Sequence, residues 1–242
     1  MKPNHFSIQK NNPMPSIDEI IQTYDSILKV ADKNAKESSR AYGGFLRSLK
    51  GKLQEYITSE IIKIAWHNLG GDEKRLEVNS KKVRIPIQLS YVKKIKEAKV
   101  REHILQNIEK YHYGLSVDKH IFIDNEFVMG VECKAYTENA MIKRILIDFH
   151  LIKTVHPNIS CFLFQLESQL GGDYSKLPKT VYGSVSAHSI MSYFENVDLH
   201  IFTLLEGERK IDKPIHKFFK PLEYNNVERA VKLLESFLKE FV

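Results

Sequence analysis

Cysteine is almost missing from this chain of 242 residues: Cys133 and Cys161 are the only two. Both sit in apolar, strand-like runs where a free thiol behaves as a small hydrophobe, and their spacing is not that of a zinc site. A disulfide-stapled scaffold and a thiolate metal centre are thereby excluded, so stability has to come from an apolar core, which a chain of this length can bury. Long apolar runs are missing too. The longest, "MIKRILIDFHLI", is broken by charge well before the roughly 18 residues that a membrane span needs. The opening "MKPNHFSIQKNNPMPS" has no apolar stretch with a small-residue cleavage site, so it does not read as a secretory signal, and a cytoplasmic location is expected. There is no internal repeat, no low-complexity tract and no Walker-type glycine loop, which excludes nucleotide-driven translocation. Ten histidines are scattered without any two at metal-ligand spacing in a helix or hairpin.

What is present is basic. Lys and Arg number 36 against 30 Asp and Glu, a net charge of +6 that favours a polyanionic partner. A hydrophobic content of 43% with 27% charged residues describes a folded globular chain and not a disordered one.

The pattern of apolar residues predicts the elements. "PSIDEIIQTYDSILKVADK" opens with Ser16 and Glu19 at capping-box spacing and repeats Ile17, Ile20, Ile21, Tyr24, Ile27 and Leu28 on one helical stripe. A second helix is expected from about Ser39 to Trp66, stopped by "NLGG". "KRLEVNSKKVRIPIQ" reads as two short strands turning around Asn79 and Ser80. A basic helix is expected from Tyr91 to Tyr111. Strands from His120 to Asp124 and from Phe127 to Ala135 follow, then a helix from Asn139 to Lys153, the strand "ISCFLFQLE", a short helix in "AHSIMSYFEN", the strand "VDLHIFTLLEG" and a last helix over about 226–241. Strands mixed with crossover helices imply an α/β fold with a sheet of mixed direction.

One charge pattern does not suit a core strand. Phe127, Val128, Met129 and Val131 are core residues, yet Glu132 and Lys134 come directly after them. Alternation puts this acid and base on one face and Cys133 on the other, and Asp118 stands upstream with thirteen residues between it and Glu132. Two acids on neighbouring strands suit a hard divalent cation, and a lysine beside them suits orienting water and offsetting charge at a phosphodiester. The same acid, any residue, lysine spacing recurs at Asp72 and Lys74 in a glycine turn, and at Glu97 and Lys99 in a helix, where residues two apart do not face each other. It also recurs at Glu208 and Lys210, behind an apolar strand with Asp198 upstream. This third occurrence is the serious rival.

"VD", then "ECK" thirteen residues later at the end of an apolar strand with a helix after it, resembles the PD-(D/E)xK nuclease superfamily, whose best-known members are type II restriction endonucleases. Val117 stands where that family usually has proline. The resemblance implies a restriction-endonuclease-like core of a mixed β-sheet flanked by helices over 39–242, preceded by an N-terminal helical arm over 1–38. It implies Asp118 and Glu132 as ligands of Mg²⁺, with Mn²⁺ as a substitute, Lys134 as the water-positioning base, and a catalytic glutamate from an earlier helix, for which Glu55 is the candidate and Glu60 the reserve. The expected substrate is double-stranded DNA, cut by a homodimer without a nucleotide cofactor or a membrane. Lys81, Lys82 and Arg84 in the "NSKKVR" turn, with Lys93 and Lys94 on the basic helix, are the expected phosphate contacts. Two other readings stay open: a structure-specific repair or recombination nuclease, and a non-catalytic DNA-binding protein of the same fold.

Overall fold

A computed structural model describes residues 16–35, 41–176, 179–210 and 219–242, with side chains described in those ranges except over 29–48. The boundary expected between residues 38 and 39 and the first fifteen residues lie outside the described residues.

The architecture is the expected mixed α/β one. Among the described residues seven strands, β1 (Leu76–Asn79), β2 (Val83–Pro86), β3 (His112–Leu115), β4 (Lys119–Ile123), β5 (Glu126–Thr137), β6 (Ser160–Ser168) and β7 (Leu199–Thr203), form a five-stranded sheet of order β1-β4-β5-β6-β7 and a separate β2-β3 pair. The β1-β4 and β4-β5 pairs are antiparallel, whereas the β5-β6 and β6-β7 pairs are parallel. The parallel steps are bridged by α5 (Asn139–Lys153) and, between β6 and β7, by α6 (Val185–Met191). β6 is buried along nearly its whole length, as a central parallel strand covered on both faces should be.

Two cores flank the sheet. On one face α1 (Ile17–Ala35), α2 (Ala41–Asn68) and α7 (Tyr224–Leu238) pack Ile20, Tyr24, Ile57, Ile61, Trp66, Val227 and Leu234 against Met129, Val131, Cys133, Phe162 and Phe164. On the other, α5 packs Ile142, Ile145, Leu146 and Phe149 against Phe127, Cys161 and Leu163. The capping box at the start of α1 is reciprocal: the Ser16 N–H donates to Glu19 Oε2 (2.7 Å) and the Glu19 N–H to Ser16 Oγ (3.3 Å). The apolar stripe of α1 lies in the chain's own core, and the Tyr24 hydroxyl donates to the Lys220 carbonyl at 2.8 Å. α2 ends as "NLGG" predicts, with Gly70 at φ +77°. Among the described residues no helix is long and apolar enough to cross a membrane.

Three local expectations are corrected. β1 and β2 exist but are not a hairpin: β1 pairs with β4 and β2 with β3. The strands serve opposite cores, Leu76 and Val78 packing with the α1-α2-α7 side and Val83 and Ile85 with the α5 side. The basic helix is broken into α3 (Leu89–Lys94) and α4 (Ala98–Gln106), because the Glu97 side chain caps the Lys99 N–H and the Arg101 guanidinium holds the Ile95 carbonyl at 2.8 Å. β3 lies in "YHYGL", which carried no strand pattern.

Candidate active site

The β4-β5 hairpin builds the site. Asp124 and Asn125 turn it with φ of 50° and 67°, a left-handed pair that these two residue types tolerate best after glycine. The antiparallel register pairs Lys119 with Val131, so the next step outward brings Asp118 opposite Glu132. Thirteen intervening residues are therefore folded away and two carboxylates stand at one point.

Lys134 joins them. Its ammonium donates to Asp118 Oδ2 (3.2 Å), to Glu132 Oε1, and to the Cys133 carbonyl (3.2 Å), which uses the three donors a lysine has. Asp118 Oδ2 also accepts the Cys133 N–H at 2.7 Å, fixing that carboxylate to the backbone of the strand carrying its partners. Cys133 points to the other face, 5% exposed, and burial pushes its thiol well above the ordinary range. Cys161 is pushed up to about 12 by burial as well. Neither thiol is a nucleophile at neutral pH.

The electrostatics are those of a partly desolvated charge cluster. Burial raises the Glu132 pKa, Lys134 opposes, and the negative charges of Asp118 and Asp148 add to the rise. For Lys134 burial acts downward but is outweighed by Glu132 and Asp118, so the net shift is upward and the ammonium stays charged. His120, fully buried on β4, accepts the Val117 N–H at Nε2 (3.1 Å) and so braces the backbone entering Asp118. Burial lowers its pKa to about 4, and the ring is neutral.

The rival set does not assemble. Asp198 precedes β7 with its side chain 88% exposed beside His200, while Glu208 lies beyond the far end of that strand and accepts the Gly171 N–H at 2.9 Å. An acid before a strand and an acid after it are separated by the strand's length, whereas a hairpin folds its two acids together.

No protein-family model and no solved structure matches the chain. The chain is 54% identical over 229 residues to the type II restriction enzyme DdeI of Desulfomicrobium norvegicum, an alignment covering 92% of this chain and 95% of that enzyme. The chain belongs to this type II restriction enzyme family.

Within this family member, the other expected site residues fall into two groups. Glu55 on α2 is not in the cluster: its carboxylate lies 3.6 Å from Lys119 Nζ, the neighbour of Asp118. Glu60 is nearly buried and paired with Lys63 at 2.9 Å. Lys81 is exposed and paired with Glu77 (2.8 Å), Lys82 is exposed, and Arg84 donates to the Glu109 carbonyl (2.8 Å), all on or beside the β2-β3 pair. Lys93 and Lys94 are exposed at the end of α3. Tyr174 and Ser175 of "GGDYS" are buried, so that loop folds back on the protein.

Asp148 carried no signal that places it from sequence, whereas Gln165 and Glu167 end the strand "ISCFLFQLE", which is expected beside the active strand and does lie there. Asp148 on α5, its pKa raised by burial against Arg144 and Lys134, adds negative charge near Glu132. Gln165 is level with Lys134 on the adjacent strand, buried, and donates to Thr203 Oγ1 at 3.2 Å. Glu167, two residues on, is 1% exposed and stands 2.8 Å from Lys220.

Proposed function

We propose that this chain is a Mg²⁺-dependent endodeoxyribonuclease of the PD-(D/E)xK type, which hydrolyses phosphodiesters in both strands of a specific duplex sequence as a homodimer. The observation that carries the reading is the single ammonium, Lys134, gathered between the carboxylates of Asp118 and Glu132 in a chain of a type II restriction enzyme family.

The donor set fits a divalent cation. Two carboxylates converge on one positive charge, with the Cys133 carbonyl beside them, and among the described residues no third His, Cys, Asp or Glu completes a closed cage. That is a hard-oxygen site of the kind Mg²⁺ takes while retaining several waters. Asp118 and Glu132 would hold it, and when bound it would polarise the phosphate and favour hydroxide over water as the nucleophile. The protein's own groups do the rest. Lys134 Nζ orients the attacking water and offsets the negative charge that gathers on the phosphate oxygens. Asp118, tied to the Cys133 N–H, keeps its carboxylate aimed at the same point. Cleavage of both strands needs two copies of this site related by a two-fold axis, the commonest symmetry of homo-oligomers. Lys81, Lys82, Arg84, Lys93 and Lys94 supply phosphate contacts that hold the duplex.

Incubation with unmethylated phage DNA tests the reading. Discrete fragments in Mg²⁺ or Mn²⁺ and none in EDTA are expected. DNA retention without nicking in either metal would favour the non-catalytic binding protein, and a ladder set by DNA structure and not by sequence would favour a repair nuclease.

A further inference from the structure

Beyond Lys134 on the same face of β5 lies Tyr136, and over its ring sits Arg209, the guanidinium carbon 3.6 Å from the ring centroid. Arg209 belongs to "EGERK", the stretch past the end of β7 that the Asp118 site left without a role. Its placement is tightly specified. The backbone N–H donates to the Ser168 carbonyl at 2.8 Å and Nη1 donates to Gln169 Oε1 at 2.8 Å, both at the end of β6. Stacking and one side-chain hydrogen bond thus fix a planar cation, with no carboxylate in an ion pair with it among the described residues. Of its five N–H donors, one is used by a described residue.

The described carboxylates nearby are engaged elsewhere. Glu167 is the buried carboxylate here, and Lys220 Nζ stands 2.8 Å from it. Lys50, 6% exposed, feels the attraction of Glu167 and the repulsion of Arg209. Among the described residues Arg209 makes no ion pair with Glu167, whose carboxylate faces Lys220. Glu208, the exposed acid next in sequence, is directed to the Gly171 N–H. A guanidinium held flat by stacking, with one described hydrogen bond on its five donors, matches a phosphate better than a mobile lysine would.

Its location says which anion. Strands β5, β6 and β7 are parallel, and Ser168, Gln169 and Arg209 all lie outside their carboxyl ends, where ligands of open α/β sheets bind. Two residues along a strand is about 7 Å, so the Tyr136 and Arg209 stack is within reach of a phosphate about one or two nucleotides from one bound at Lys134. We infer that Arg209, stacked on Tyr136 and held by Gln169, is a backbone clamp that binds a DNA phosphate one or two nucleotides from the scissile one. This rests on the nuclease reading of the Asp118, Glu132 and Lys134 site. Arg209 acts by positioning the strand and not by touching the reacting atoms.

The experiment pairs Arg209 variants with oligonucleotide duplexes in which one phosphate at a time is a neutral methylphosphonate. For the wild-type enzyme, neutralising the clamped phosphate should weaken binding about tenfold. Arg209→Gln should weaken binding to the unmodified duplex by a similar factor, lower the slope of log affinity against log salt by about one unit, and abolish the sensitivity to that one methylphosphonate. Arg209→Lys, which keeps the charge but not the plane, should fall between. At saturating DNA the turnover of each variant should stay within about threefold of wild type, since the effect is on affinity. If Arg209→Gln keeps its sensitivity to every methylphosphonate while losing thermal stability, Arg209 only braces the Ser168 region and the clamp is refuted. If the variant binds as tightly as wild type with an unchanged salt slope, it is refuted also. Wild-type protein that neither binds nor cuts DNA would instead overturn the nuclease reading itself.

Discussion

Two stretches of this chain carry the same written pattern, an upstream aspartate, an apolar strand and then an acid two positions before a lysine. Asp118, Glu132 and Lys134 meet within hydrogen-bonding distance. Asp198, Glu208 and Lys210 do not, because Asp198 precedes β7 and Glu208 follows it. The difference is one of connection. In the first case the chain reverses between the acids through the Asp124 and Asn125 turn, so separation in sequence becomes adjacency across a ladder. In the second the chain runs straight through a parallel strand, and separation in sequence becomes distance in space.

The strongest way to break this comparison is to remove one acid from each set. Asp118→Ala and Glu132→Ala should each lower cleavage by about 10³-fold or more, the scale expected when a charge-stabilising group is lost from a desolvated site. Both should also weaken Mn²⁺ binding in a titration without DNA. Asp198→Ala and Glu208→Ala should leave turnover within about threefold. If the second pair proves essential and the first dispensable, the assignment is reversed.

A second lysine sharpens the comparison through stability. Lys134 is half-buried between two carboxylates and its pKa is raised, whereas the Lys50 pKa is lowered from 10.5 to about 8 by burial, against the attraction of Glu167 and with repulsion from Arg209. The sign follows from proton counting. Below about pH 8 both the folded and unfolded chains carry the Lys50 proton, and the fold bears the cost of a buried charge. Between about 8 and 10.5 the unfolded chain holds more protons, so stability contributed at this position rises with pH. Lys50→Met should therefore stabilise the protein at pH 7 by about 1–3 kcal/mol, and the gain should shrink as pH climbs from about 8 to 10.5. Thermal melts across that range check it, and a constant gain would assign the effect to packing alone.

The smallest expected effect concerns lysines in solvent. Changing Lys81, Lys82 and Arg84 to glutamine should weaken DNA binding at low salt and lower the salt slope by about one unit for each phosphate that is no longer neutralised. Lys81 is already paired with Glu77, so its share should be the least of the three. An unchanged slope would leave this turn without a part in binding.

How much of this was legible in the sequence depends on how local each feature is. The Asp118, Glu132 and Lys134 set was readable because a hairpin of adjacent strands creates it and because strand alternation fixes which side chains share a face. α5 and α1 were readable because their periodicity, and for α1 the capping box, lie within one segment. The pairing of β1 and β2 was not, since two short strands look alike whichever core they serve; only Leu76 against one core and Ile85 against the other separates them. Glu55 could be placed on its helix, but its proximity to Lys119 is a tertiary fact. Asp148 and Arg209 come near the site from a crossover helix and a loop beyond β7, and nothing near them in sequence points to Glu132, whereas Gln165 ends the strand expected beside the active one and stands level with Lys134.

The most direct test of the central claim is a side-by-side assay of Lys134→Ala and Lys210→Ala, measuring cleavage of unmethylated phage DNA in Mg²⁺ and binding of the same DNA in Ca²⁺. Lys134→Ala should lose cleavage by about 10²–10³-fold or more while holding DNA within a few fold, as expected of a residue that acts in the transition state. Lys210→Ala should cut within a few fold of wild type. A Lys134→Ala protein that cuts at the wild-type rate would contradict the account.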